Sequence, residues 1–72
     1  MKTYRMWQCN PKQSLPDNIS LALQNHIDKF GIPAEILEVS DQLEKVELPE
    51  GLNLVTNVVR MPKNIILVGR VD

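Results

Sequence analysis

One cysteine and one histidine are all the soft metal ligands that the 72 residues contain. A disulfide framework within the chain is excluded, and Cys9 with His26 is too small a set to close a structural zinc site. Nothing in the pattern calls for a cofactor. Aromatic residues are equally sparse: Tyr4, Trp7 and Phe30. Tyr4 and Trp7 fall on opposite faces of an extended segment, so they cannot form a base-stacking platform together. An excess of basic charge is missing too, since the formal net charge is −1. Sequence-independent nucleic-acid binding needs a basic surface, which argues against a nucleic-acid partner. No apolar run is long enough to cross a bilayer, so no membrane partner is expected. Gly31, Gly51 and Gly69 are isolated, act as punctuation, and form no phosphate-cradling loop. A lone thiol without a secretory apolar region points to a reducing, cytoplasmic setting.

What is present is concentrated in residues 52–71, LNLVTNVVRMPKNIILVGRV. This is the most β-branched stretch of the chain, and branched side chains favour a pleated surface over a helix. Asn53 and Asn57 weaken a helical reading further, because their amides compete for backbone hydrogen bonds. The spacing predicts two strands, 52–61 and 65–70, joined as a hairpin through Pro62-Lys63-Asn64. Val59 or Arg60 would pair with Ile65 or Ile66, and the bond before Pro62 would be trans.

Residues 2–9 read as a further strand. Tyr4 and Met6 lie on one face, and Trp7 and Cys9 on the other. Apolar side chains on both faces predict an inner strand covered on both sides. A helix should start at Ser14-Leu15-Pro16-Asp17 and end at Gly31. Ser14 suits the cap, Pro16 the first turn, Lys29 the last turn, and Gly31 the left-handed position beyond it. Its apolar stripe is Leu15, Ile19, Leu23, Ile27 and Phe30, with Ala22 and His26 beside it. Residues 32–50 admit two readings. A strand at 34–39, running parallel to the first, makes a β-α-β unit. A helix starting at Pro33 places Ile36, Val39, Leu43 and Val46 on one stripe. The strand is preferred, followed by a short helical turn over 40–46 capped by Ser40. The expectation is a small single α+β domain over residues 1–72: a β-α-β unit, a C-terminal β-hairpin, and one main helix packed on a mixed sheet. A chain this short has a thin stability margin, which leaves a homo-oligomer open.

Charge is segregated. Glu35, Glu38, Asp41, Glu44, Glu47 and Glu50 supply six of the nine acids within sixteen residues, opposed there only by Lys45. The plain alternative is a solvated acidic surface. The functional reading is a docking surface for a basic partner protein, built on Glu35, Glu38, Asp41, Glu44 and Glu47, because such fields steer association. Cys9 stands between a strand and a helix start, where a dipole can activate a thiol. The plain alternative is a small buried apolar residue. His26 is about eleven residues into the helix, roughly 16 Å from the end facing Cys9, so a Cys–His pair is not expected.

The order of these pieces resembles the front of a glutaredoxin or thioredoxin-like domain: strand 3–7, Cys9, helix 14–30, the segment GIPAEILEVSD, a short helix over 40–46, then VVRMP followed by NIILV. The resemblance implies a reactive Cys9 and a cis-Pro62. It departs at Asn10, Pro11 and Lys12, where no second cysteine follows. Two functions are therefore carried forward. One is a non-enzymatic protein-interaction module, adaptor- or inhibitor-like, docking through the acidic segment. The other is a single-cysteine thiol protein with Cys9 and Pro62 at its site.

Overall fold

The computed structural model describes residues 2–52 and 54–71, with side chains for 4–52 and 54–70. Asn53, part of the predicted 52–61 strand, lies outside the described residues. The elements in chain order are β1 (Lys2–Gln8), α1 (Leu15–Phe30), β2 (Ile36–Ser40), β3 (Val55–Val59) and β4 (Ile65–Val71). The α+β class holds: one helix packs on a four-stranded mixed sheet of order β1-β4-β2-β3.

Helix α1 forms as its end signals require. Ser14 Oγ accepts the Asp17 N–H at 3.2 Å, and Pro16 occupies the first turn, where no N–H is needed. Gly31 closes the helix at φ 75°, donating its N–H to Ile27 O at 2.7 Å. The buried side is Asn18, Ile19, Ala22 and His26, with Leu15 and Leu23 packed at its margins. The predicted stripe therefore drifts out of the core at its end. Ile27 is 40% exposed because steps of four residues overrun the 3.6-residue turn, and Phe30, the last residue of the helix, is 44% exposed. His26 is buried against Phe30, and its Nδ1 donates to Ile32 O at 2.8 Å, which ties the helix end to the chain leaving it.

The predicted hairpin does not form. β2 lies between β3 and β4, pairing parallel with β3 and antiparallel with β4. The turn signal at Pro62 is genuine: Ile65 N–H donates to Pro62 O at 3.2 Å. It carries the chain over the end of β2 instead of folding β4 back on β3. Ser40 anchors that crossing by donating Oγ–H to Met61 O at 2.6 Å, and Asp41 N–H donates to Val59 O at 2.8 Å. The physical reason lies in the strands. β4, apolar on both faces, takes a central position between two partners, whereas β3, with Thr56 and Asn57, is left at the edge.

Three further expectations change. β1 is an edge strand, paired with β4 alone among the four strands. β1 and β2 run in the same direction, but β4 is inserted between them, so the β-α-β unit is split. The helical turn over 40–46 is irregular chain. Ser40 Oγ accepts the Gln42 N–H at 3.0 Å and closes a turn there, not a helix. The ambiguous segment does become a strand, β2, held on both sides, with Leu37 and Val39 buried toward α1.

The core is Ile19, Ala22, Ala34, Leu37, Val39, Ile66 and Val68. Leu43, Val46, Leu52 and Leu54 bring the long β2–β3 connection down on the same side of the sheet as α1. Among the described residues, no helix is long and apolar enough to cross a membrane.

Candidate functional site

Three regions among the described residues are accessible to a ligand or partner: a cleft at one end of the sheet, a smaller apolar cleft of about 380 Å³ between Leu23 and Ile27 of α1 and Leu52 and Leu54, and the sheet face away from the helix. The first cleft, of about 490 Å³, lies where β1 ends, β4 begins and α1 starts. Cys9, Asn10, Asn18, Leu43, Lys63 and Asn64 are among its walls. Asn18 organises it. The Asn18 side chain is 2% exposed; Oδ1 accepts from Asn10 N–H at 2.7 Å and from the Trp7 indole at 3.4 Å. Its Nδ2 donates to Ser14 O at 2.9 Å and Asn10 O at 3.1 Å, with Gln13 O at 3.3 Å. Every polar atom of this amide is consumed in holding the β1–α1 loop, so it offers nothing to a ligand. Sequence reasoning passed over Asn18, because an Asn inside a helix carries no spacing signal.

Cys9 is half-buried at the cleft wall, its N–H bonded to Asn64 O at 2.7 Å. Burial pushes its thiol above the ordinary range, which makes the thiolate scarcer at neutral pH. The peptide bond before Pro62 is trans. Together with the missing short helix and the separation of β3 from β4, this corrects the expectation drawn from the thioredoxin-like resemblance.

The acidic segment does not gather on one surface. Glu35 faces the α1 side, where the Arg70 guanidinium, anchored to Pro33 O at 2.7 Å, holds it at 2.5 Å. Glu47 pairs with Lys45 at 3.2 Å in an exposed contact, the kind that contributes little to stability. Asp41 and Glu44 are exposed on the irregular chain after β2. Glu38 alone among the five stands on the helix-free face. Glu38, Asp41 and Glu44 make no ion pair among the described residues.

That face follows from the register. Residues of alternate parity point away from α1, because Arg5 and Trp7 bond to helix residues Asn25 and Asn18. One row across the sheet is Tyr4, Gly69, Ile36 and Val55; the next is Met6, Leu67, Glu38 and Asn57. Ile65 and Val59 extend it toward the strand ends. Met6 is 65% and Val55 62% exposed, and none of these apolar residues packs against the core. The face measures about 20 by 17 Å from strand spacing and rise. The chain exposes 4937 Å², against about 4,500 Å² typical of a monomer of this mass. Among the described side chains, Glu38 is the one charge on this face. β1 carries apolar side chains on both faces, as its sequence predicts, but only the side toward α1 is covered. Compared with known proteins, the chain matches no family model, no curated protein and no solved structure.

Proposed function

We propose that the chain is a non-enzymatic protein-interaction module, adaptor- or inhibitor-like, that binds a partner protein through the helix-free face of its sheet. The observation that carries this reading is the apolar surface around Leu67, with Met6 and Val55 more than half exposed. Contiguous apolar surface on a small domain is a mark of an interaction site. The acidic segment enters in two ways. Glu38 sits within the contact, and Asp41 and Glu44 stand near the end of β2, where they attract a basic partner over about one Debye length. The thiol reading finds no support in the raised Cys9 pKa.

Site-specific photocrosslinking tests the assignment. A photoreactive residue replaces Met6 on the helix-free face, and in a parallel variant it replaces Leu21, 40% exposed on α1. Defined adducts are expected from position 6 and not from position 21, and the substitution Leu67→Arg should abolish them. Adducts of equal yield from both positions, or adducts that survive Leu67→Arg, overturn the reading.

A further inference from the structure

We propose that the occupant of the helix-free face is an amphipathic α-helix of the partner protein, carrying a single arginine or lysine in its apolar stripe opposite Glu38. This rests on the reading that the helix-free face is the docking surface, and it adds the partner's chemistry.

Three observations lead there. The first is backbone accounting. β4 is bonded to β1 and β2, and β2 to β4 and β3, so the strands at the centre of the face have no free edge. An extended peptide laid across them finds no main-chain partners, and its own N–H and C=O groups would lose water without replacement. The occupant must satisfy its backbone internally, as a helix or a sheet does.

The second is charge. A second copy of this chain, laid sheet to sheet about Glu38, brings a second carboxylate to the first, and the residues flanking Glu38 on this face, Ile36, Leu67, Met6 and Asn57, supply no cation. Burying unpaired carboxylates is strongly unfavourable. A foreign element with one cation in an apolar surround removes that penalty, and Asn57, beside Glu38 on β3, adds an amide oxygen to the same cation site.

The third is the way the opposite face is covered. There the sheet presents Arg5, Trp7 and Thr56 amid apolar packing; α1 answers the first two, and the Thr56 hydroxyl is buried without a partner. Arg5 Nε donates to Asn25 Oδ1 at 2.6 Å, and the Trp7 indole meets Asn18. A helix about 10 Å across covers two strands spaced about 4.8 Å apart. The pair β4–β2, which carries Ile65, Leu67, Ile36 and Glu38, is such a platform.

The probes are three synthetic amphipathic helical peptides with a leucine stripe, identical except for Arg, Gln or Glu at the centre of the stripe. Binding is followed by amide chemical shifts of the isotope-labelled full chain. The Arg peptide should shift amides of β4 and β2 and bind at least about tenfold tighter than the Gln peptide, as a desolvated charge pair allows. That preference should vanish in Glu38→Gln, and the Glu peptide should gain affinity in Glu38→Lys. Equal binding of the Arg and Gln peptides, shifts confined to the α1 side, or no binding by any peptide overturns the inference. So does a dimer in sedimentation that Leu67→Arg dissociates, which would give the face to a second copy. A peptide outcome of this kind alongside Met6 crosslinks to a different protein leaves the docking reading standing; absence of those crosslinks, or crosslinks to a second copy alone, removes the reading beneath it.

Discussion

At the centre of this sheet the two faces are drawn from similar side chains and meet opposite fates, whereas at the β3 edge Val58 on the helix side is as exposed as Val55 on the other. Leu37 and Leu67 lie on adjacent strands one register position apart; Leu37 is fully buried under α1, and Leu67 is half-buried on the uncovered side. Toward the helix, Arg5 is matched by Asn25, Arg70 by Glu35 and Asn18 by the β1–α1 loop, while the buried Thr56 hydroxyl has no partner. On the other side Glu38 has no ionic partner among the described residues. The difference teaches that apolar alternation says a surface wants covering, but not whether the same chain covers it.

The comparison is broken most directly by truncating the two leucines. Leu37→Ala should cost about 2–5 kcal/mol, the range for a closed core site. Leu67→Ala should cost roughly 1 kcal/mol or less, since it loses little burial. Equal shifts in the denaturation midpoints would mean that the faces are not distinct in energy. Next in size is Asn18→Ala, which strips partners from Asn10 and the Trp7 indole. A loss of about 1–3 kcal/mol is expected from the orphaned groups. Trp7 is the lone tryptophan, so its emission should also shift; an unchanged spectrum and midpoint would show that the amide knot is dispensable.

The smallest effect sharpens the comparison at its margin, through Cys9. Its folded pKa is raised by burial, so the folded state holds the proton more tightly than the unfolded chain does. The associated stability is complete below the ordinary thiol range and is lost as pH rises through the folded value. Unfolding curves should show a slight alkaline decline that Cys9→Ala removes, and alkylation at neutral pH should be slow. A decline of the same size in both proteins would assign it elsewhere.

Local signals were legible. Ser14, Pro16 and Gly31 mark the helix ends, and branched residues mark three of the four strands, because each acts within a few residues of itself. Strand order was not legible. The Pro62 turn reads the same whether the chain folds back at once or passes over Ser40, and what decides is the competition of β3 and β4 for the place beside β2. That competition depends on Leu37 and Val39, more than fifteen residues upstream. The docking face was hidden for the same reason. Tyr4, Leu67 and Glu38 become neighbours only when β4 enters between β1 and β2.

The insertion of β4 also sets the order in which the molecule can be made. β4 is the last of the four strands to be synthesised and the one that joins β1 to β2 and β3, with Lys2 paired to Val71. Until it emerges, β1 has no strand to bond, and α1 lacks the floor that Ile66 and Val68 provide. A sixteen-residue helix is marginal on its own in water. Until β4 is available, β1 and the apolar side of α1 therefore stay unprotected. Pairing β1 with β4 closes contacts between residues far apart in sequence, from Gln8 with Ile65 to Lys2 with Val71, a topology that slows folding.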